Sequence, residues 1–307
     1  TSVPGMILET LSHQNFADMR YGMDPSFRFT VSRAIYKGIL KFLSYLNDYD
    51  YVVQPLPVTH ISSSLTREEG KIFARLEWKP SVDSLEPGAA PQKYVLYTRI
   101  NGGAFDGGHI VNDCTTKIQL ETGQLYSFRV TAVNEGGESF PSETISVGIA
   151  AKDAPTAMIV NNFDRVSAPL SFASPDSTVG GFIDRIDAGV PYIRDVAYVG
   201  SQHEFRRDSK WMDDDNPGFG ASDSNFETMT VAGNTFDYPF IHGKAIREAS
   251  GHSFCSASIG AVMAGSTRLD SYKYADLICG VHKVFDTRIQ SMLTSYCREL
   301  FQFVRTR

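Results

Sequence analysis

The chain has 307 residues, of which 42% are hydrophobic and 21% are charged, the proportions of an ordinary globular protein. Because single hydrophobic cores stop growing at roughly 250 residues, this length predicts two or three domains. The 35 acidic residues outnumber the 29 basic ones, and no basic run exceeds two residues, which argues against a nucleic-acid partner. No stretch approaches the roughly 20 apolar residues of a membrane span, so we expect no span.

Residues 1–50 are predicted to form a strand, a loop and a helix. Residues 6–8 (MIL) are a short apolar run that ends at Glu9, which is typical of a strand. Over residues 29–46 the apolar side chains recur at helical spacing on one face, and Pro25 suits the first turn of that helix. A segment this short cannot bury a core alone, so we expect it to pack on the rest of the chain or on protein that precedes it.

Residues 53–150 are predicted to form a β-sandwich. The proline-rich stretch 48–60 (DYDYVVQPLPVTH) reads as an extended linker, because proline fixes φ and lacks a backbone donor. After it, short segments alternate between apolar and polar residues, and Gly-Gly pairs supply turns between them. Regular short strands separated by turn signals are typical of a sandwich.

Residues 155–307 show a different pattern, in which apolar strands alternate with helices. Continuous apolar runs at residues 157–160, 196–200, 229–233, 253–257 and 277–280 predict strands. Helical spacing predicts helices over residues 239–249 and 285–297. Because parallel sheets are covered by helices on both faces, this alternation predicts an α/β domain with a mostly parallel sheet.

The middle segment resembles fibronectin type III domains over about 95 residues. The resemblance lies in residues 76–80 (LEWKP), 94–97 (YVLY), 120–132 (LETGQLYSFRVTA) and 134–143 (NEGGESFPSE). It implies that Trp78 is the core tryptophan and that Tyr126 ties down a corner. Such modules usually serve spacing or adhesion, not chemistry.

The first segment resembles the C-terminal end of zinc-dependent N-acetylmuramoyl-L-alanine amidases. The matching runs are residues 3–15 (VPGMILETLSHQN) and 32–43 (SRAIYKGILKFL), although Leu11 and Gln14 depart from the family pattern. The resemblance implies that Glu9 is the catalytic acid/base beside a zinc-bound water and that Asn15 supports the loop. It places the zinc ligands upstream of Thr1, so we expect no metal site and no cofactor within this chain.

The last segment resembles the C-terminal α/β domain of large secreted Bacteroidetes proteins that are labelled as amidases or xanthan lyases. The matching runs are residues 160–169 (VNNFDRVSAP), 233–245 (GNTFDYPFIHGKA) and 276–283 (DLICGVHK). The layout implies a flavodoxin-like domain. Open α/β sheets bind ligands at strand ends. We therefore expect a pocket formed by these four residues: Asn162, Asp164, Asp237 and His242.

The sequence predicts three units: an amidase-like α/β fragment (residues 1–50), a fibronectin type III sandwich (53–150) and a flavodoxin-like α/β domain (155–307). The function expected from the resemblances is the C-terminal portion of a secreted hydrolase that cleaves the N-acetylmuramoyl-L-alanine amide of peptidoglycan with zinc-activated water. The alternative is a non-enzymatic surface, adhesion or glycan-binding protein with a vestigial amidase head.

The expected location is the periplasm, the cell surface or the extracellular space. The expected partners are peptidoglycan or another cell-surface glycan, and a protein bound through the C-terminal domain. The four cysteines are widely spaced, so they are interpreted as free thiols, with a Cys279–Cys297 or Cys255–Cys279 disulfide as the alternative.

Overall fold

The computed structural model describes residues 5–12, 15–22, 24–151, 153–162, 170–176, 178–183, 196–198, 204–206, 232–235 and 238–278. The helices are α1 (Phe16–Gly22), α2 (Pro25–Asn47), α3 (Tyr238–Ser250) and α4 (Ile259–Met263), and short 3₁₀ turns lie at Pro87–Ala89 and Leu269–Ser271. The first strands are β1 (Thr59–Glu68), β2 (Lys71–Lys79), β3 (Lys93–Ile100), β4 (His109–Val111), β5 (Thr115–Leu120), β6 (Leu125–Asn134), β7 (Gly137–Glu138) and β8 (Ile145–Gly148). The later strands are β9 (Thr156–Asn161), β10 (Leu170–Ala173), β11 (Val179–Ile183), β12 (Val196–Tyr198), β13 (Glu204–Arg206), β14 (Ala232–Thr235), β15 (Ser253–Ser258) and β16 (Tyr274–Ile278).

Strands β1 to β8 form the two antiparallel layers of a fibronectin type III sandwich. In one layer β2 lies between β1 and β5, and in the other the order is β4-β3-β6-β8. The alternation of the sequence explains this arrangement, since β2 buries Ala74, Leu76 and Trp78 and exposes the residues between them to differing extents. The predicted sandwich is confirmed.

The core of the sandwich contains the two aromatic residues that the sequence singled out. Trp78 is 3% exposed and Tyr126 is 5% exposed. The Trp78 ring packs edge-on against Tyr94, with 5.5 Å between the ring centroids. The hydroxyl of Tyr126 accepts a hydrogen bond of 3.1 Å from the backbone N–H of Glu121, which lies at the turn before its own strand. Tyr126 therefore ties down this corner, as predicted.

The predicted flavodoxin-like domain is wrong. Among the described residues of the tail, β9 pairs in parallel with β15 and β16, but β10, β11 and β13 form an antiparallel sheet and β12 pairs antiparallel with β14. The parallel strands belong to the same eleven-stranded sheet as the sandwich, which is mostly antiparallel. A buried apolar strand has the same sequence pattern in either setting, because burial on both faces and not strand direction produces it.

Strand β15 joins the tail to the sandwich. One edge of β15 pairs with β9, and the other edge pairs with β8 at Phe254–Gly148 and with β1 at Ala257–Ser62. Three serine hydroxyls add side-chain hydrogen bonds between β15 and the sandwich. The pairs are Ser63 Oγ with the Ser256 carbonyl (2.8 Å) and N–H (3.0 Å), Ser256 Oγ with the Ser146 N–H (2.6 Å) and carbonyl (2.8 Å), and Ser253 Oγ with the Ala150 N–H (3.1 Å). One edge of each layer, at β8 and at β1, is thereby covered.

Helix α3 packs across the sandwich and the parallel strands. Gly243 lies so close to the ring of Phe254 that a Cβ at this position would overlap it. At the other side, Phe240 lies 5.0 Å from the guanidinium of Arg99, which is 1% exposed. Phe105 lies 5.0 Å from the same guanidinium and 4.1 Å from that of Arg129. The Phe240 ring of the tail therefore joins a stack of alternating rings and guanidinium groups that belongs to the sandwich.

The first segment differs from the prediction at its start. Helix α2 confirms the predicted helix, and Pro25 is its first residue. Residues 5–12 have no regular secondary structure, so the predicted strand that ends at Glu9 is wrong. The apolar run is exposed instead, and Ile7 is 88% exposed. A strand forms only where a neighbouring strand supplies partners for its backbone N–H and C=O groups.

The thiols of Cys114 and Cys255 are free, which excludes the Cys255–Cys279 disulfide, and Cys279 and Cys297 lie outside the described residues. Burial raises the pKa of the Cys255 thiol to about 12, so this cysteine is an unreactive core residue. In the described parts of the chain, no helix is both long and apolar enough to cross a membrane.

Candidate functional site

The predicted catalytic residue Glu9 is exposed on the irregular segment 5–12. Asn15, its predicted support, caps the first helix. Its side-chain oxygen accepts hydrogen bonds from the N–H groups of Ala17 (2.9 Å) and Asp18 (3.2 Å), and the Asp18 carboxylate accepts one from Ser12 N–H (2.9 Å). The structure thus anchors the loop between Glu9 and α1, whereas the catalytic role of Glu9 stays a prediction.

Helix α2 is held to the sandwich by its basic face. Arg33, Lys37 and Lys41 lie four residues apart and therefore on one side of the helix. Arg33 binds Asp83 at 2.8 Å, and Lys37 binds Asp83 at 3.1 Å and Glu86 at 3.7 Å. Burial alone would raise the pKa of Asp83, but the hydrogen bonds from Arg33 and Lys37 lower it below its ordinary value.

The same face makes two further contacts with residues before and after the charged group. The Tyr36 hydroxyl accepts a hydrogen bond from the N–H of Gln54 (3.2 Å), and Phe29 packs edge-on against Phe140 at 5.8 Å between centroids. The linker, through Gln54, and the sandwich, through Phe140, therefore both contact the polar side of α2.

The opposite face of α2 is apolar and exposed. Ile39 is 50% exposed, Phe42 46% and Leu46 60%. Their spacing of three and four residues places them in one stripe, which we call the outer stripe of α2. An amphipathic helix ordinarily buries its apolar face. Within the described part of the chain α2 does the opposite, because its basic face contacts the sandwich and its apolar face is exposed. We call this arrangement reversed docking.

Of the four predicted pocket residues in the tail, the structure describes His242 and Asn162, and each contacts a different residue of β16. His242 Nδ1 lies 2.6 Å from Asp276 Oδ2, between α3 and β16. The hydrogen bond from Asp276 raises the pKa of His242, partial burial opposes this, and the negative charge of Asp276 adds to the rise. Asn162 continues the β9–β16 pairing, since its N–H donates to the Ile278 carbonyl (2.9 Å). Asp164 and Asp237 lie outside the described residues.

A groove of about 380 Å³ opens beside Asp276, between the C-terminal half of α3 and β16. Its lining combines small apolar side chains with four groups that can donate or accept hydrogen bonds. The lining residues are Ala157, Ile246, Ser250, His252, Tyr274, Ala275 and Asp276. We call this space the β16 groove.

The aromatic side of the groove is fixed by local contacts. The His252 ring packs edge-on against Tyr274, with 5.1 Å between centroids, and His252 Nδ1 lies 2.9 Å from the Ser250 carbonyl. A carbonyl can only accept, so Nδ1 donates and Nε2 of the neutral ring is left as an acceptor. Tyr274 is 49% exposed and presents its ring to the groove.

Sequence reasoning missed Asp276, Tyr274 and His252. The signal that could have found them is a carboxylate within an otherwise apolar strand, since Asp276 directly precedes the predicted strand at residues 277–280. Buried carboxylates need partners, and a histidine on a neighbouring helix is one. Among the residues that the structure describes, no group of three or more His, Cys, Asp or Glu is placed to hold a metal ion.

Solved structures that resemble this chain are proteins with fibronectin type III domains. The fibronectin type III domain of human fibronectin type III domain containing protein 3 is 26% identical with a TM-score of 0.24, over 32% of this chain and 87% of that one. The twitchin kinase region from C. elegans is 17% identical with a TM-score of 0.27, over 50% of this chain and 30% of that one. The FN1–FN3 domains of chicken CNTN1 are 14% identical with a TM-score of 0.23, over 67% of each chain.

No protein-family model matches the sequence. With TM-scores this low, the assignment of the sandwich rests on its strand order, its tryptophan and its tyrosine corner.

Proposed function

We propose that this chain is the C-terminal portion of a secreted cell-wall hydrolase that cleaves the N-acetylmuramoyl-L-alanine amide of peptidoglycan. In this proposal the catalytic domain precedes residue 1, the sandwich spaces the domains, and the tail contacts cell-surface glycan. The observation that carries the proposal is the reversed docking of α2, whose outer stripe is exposed while its basic face is bound.

The outer stripe has the properties of an interface core. A single exposed apolar residue is ordinary, but a continuous stripe along a 23-residue helix marks a contact surface. The exposed run of residues 6–8 adds Met6 (77%) and Ile7 (88%) to the apolar surface of the same segment. A preceding domain that packs on the outer stripe would bury it and would connect through α2 to the sandwich.

Zinc does not fit the described residues of this chain, which contain no group of ligands for it. The proposal therefore assigns the zinc ligands to the preceding domain and derives no step at a metal here. It gives this chain one chemical contribution, the Glu9 carboxylate, which would exchange a proton with the reacting groups once the preceding domain encloses segment 5–12.

The test digests purified peptidoglycan with the longer natural chain, with its Glu9→Gln variant and with the 307-residue chain. We expect Glu9→Gln to lower the release of peptides by roughly 10²–10⁴-fold, the usual weight of general acid/base catalysis. The matched control is Glu135→Gln, which neutralises an exposed glutamate on a loop of the sandwich. The 307-residue chain should be inactive. Full activity of the Glu9→Gln variant, or activity of the short chain, would refute the proposal.

The second candidate function is a non-enzymatic surface protein that binds glycans, with a vestigial amidase head. The β16 groove favours it, because the groove combines an exposed aromatic ring with hydrogen-bonding side chains. A longer chain that binds peptidoglycan but releases no peptides would support this candidate over the hydrolase.

A further inference from the structure

The β16 groove has a chemical character that points to one ligand class. Its volume of about 380 Å³ lies at the lower end of the range of small-molecule sites, about 300–1,000 Å³, so it suits a single ring and not a long peptide. The apolar floor is formed by the side chains of Ala157 and Ile246, which offer no hydrogen bonds. Ala275 alternates with Tyr274 and Asp276 along β16, so it lines the groove through its backbone.

The polar groups of the groove are held in place by partners outside it. Asp276 uses Oδ2 to bind His242, which fixes the carboxylate. Within the described residues, no hydrogen bond involves the other oxygen, Oδ1, so it is available as an acceptor. His252 uses Nδ1 to bind the Ser250 carbonyl and so presents an acceptor at Nε2. Two fixed acceptors beside an apolar floor match a ligand that carries several donors.

The ring of Tyr274, which is 49% exposed, supplies the third feature. Lys273 Nζ lies 5.4 Å from the ring centroid over one face, so a ligand would stack on the other face. An aromatic face carries partial negative charge and attracts the C–H bonds of a flat aliphatic ring. A pyranose has such C–H bonds on its faces and hydroxyl donors at its rim. Of the pyranoses, an N-acetylhexosamine adds an amide N–H for a carboxylate and a methyl group for an apolar floor.

We propose that the β16 groove binds an N-acetylhexosamine ring, with the ring stacked on Tyr274, the acetamido N–H donating to Asp276 Oδ1 and the acetamido methyl group on Ala157 and Ile246. This inference rests on the proposed cell-surface function for its biological setting, and it specifies the sugar that the tail contacts. Among the described strands β16 pairs with β9 alone, so the site lies at an edge of the described sheet, where the end of a glycan chain could enter from the side.

The test titrates chitotriose, an N-acetylglucosamine trimer, into the 307-residue chain and follows amide resonances by NMR. We expect shifts in β16 and at His252 with a dissociation constant on the order of 1 mM, which is ordinary for a single-ring site. Cellotriose, which has the same ring without the acetamido group, should bind at least about tenfold more weakly. Equal binding of both sugars would refute the assignment to N-acetylhexosamines.

Substitutions in the β16 groove test which residues bind the sugar. Tyr274→Ala should weaken chitotriose binding by about tenfold or more, and Ser250→Trp should block the groove at its exposed rim, where α3 ends. The matched control is Tyr49→Ala, which removes a tyrosine of similar exposure, 46%, on the first segment and should leave binding unchanged. The resonance pattern of each free variant shows whether it is folded, and Ser250→Trp keeps the test decisive if Tyr274→Ala is not.

Two further outcomes would overturn the inference: no shift with either sugar, or shifts that survive in Ser250→Trp. The outcome is separable from that of the hydrolase proposal. Sugar binding is measured with the 307-residue chain alone, and peptide release is measured with the longer chain.

Discussion

At the scale of single residues, the hydroxyl of Tyr126 should contribute measurably to the stability of the sandwich. Tyr126→Phe keeps the buried ring but removes the hydroxyl that accepts the Glu121 N–H. We expect the free energy of unfolding to fall by about 1 kcal/mol, the net worth of one intramolecular hydrogen bond. Tyr45→Phe is the control, because Tyr45 is 89% exposed and its change should alter stability very little. Urea denaturation measures both, and equal stabilities would contradict the assigned role.

The pair of His242 and Asp276 predicts a pH dependence. Because its bond to Asp276 raises the pKa of His242 in the folded state above the unfolded value, the pair stabilises the protein fully below the unfolded pKa, near 6.5. This stabilisation is lost as the pH rises through the folded pKa. The free energy of unfolding of the wild type relative to His242→Gln should therefore decrease between about pH 6 and 8. An unchanged difference over this window would contradict the ion pair, and His109→Gln on strand β4 is the control.

At the scale of elements, two helical glycines make a matched pair. Alanine is the better helix former by about 0.5–1 kcal/mol, so Gly38→Ala should stabilise α2, where a Cβ would have nothing within 4 Å. Gly243→Ala in α3 should instead destabilise the protein by about 1–3 kcal/mol, because the new Cβ would overlap the Phe254 ring. Thermal unfolding followed by circular dichroism distinguishes the two signs. A stabilising Gly243→Ala would mean that α3 does not pack on β15 as described.

The elements also show what local pattern can predict. The strands of the sandwich and helices α2 and α3 were predicted because alternation, helical spacing, turn glycines and a first-turn proline are local signals. Segment 6–8 was predicted wrongly as a strand, since three apolar residues do not reveal whether a neighbouring strand exists. The site at Asp276 was missed because its partner His242 is distant in sequence and meets it only in the folded chain.

At the scale of the whole molecule, the sandwich and the parallel strands should unfold together. Strand β15 is hydrogen-bonded to β1 and β8, and Phe240 packs on the buried Arg99 of β3. Hydrogen exchange should give peptides from β2 and from β15 the same free energy of opening. Phe240→Ala should lower both together, by less than the roughly 3–5 kcal/mol lost with a fully buried aromatic residue, because Phe240 is partly buried. Earlier opening of β15 would show that the tail is an independent unit.

The prediction of a separate flavodoxin-like domain failed because it depended on how the layers of the whole molecule pack together. Strands β9, β15 and β16 have the apolar runs of a doubly covered sheet, and α3 does cover one face. The other face is covered by the core of the sandwich and by the short helix α4, as shown by Met158 and Val160 in the same cluster as Trp78 and Ala261. An apolar run shows that a strand is buried on both faces but does not show which elements cover those faces, so the packing of this sheet on the sandwich could not be predicted.

The insertion of β15 between β8 and β1 has a consequence for the order of synthesis. When Gly148 leaves the ribosome, its partner Phe254 lies about a hundred residues further along the messenger RNA. At roughly 5–20 residues per second, the nascent sandwich waits several seconds or more with the β1 and β8 edges unpaired. Unpaired edges recruit other strands, so this interval is when the growing chain most needs a chaperone or an export factor.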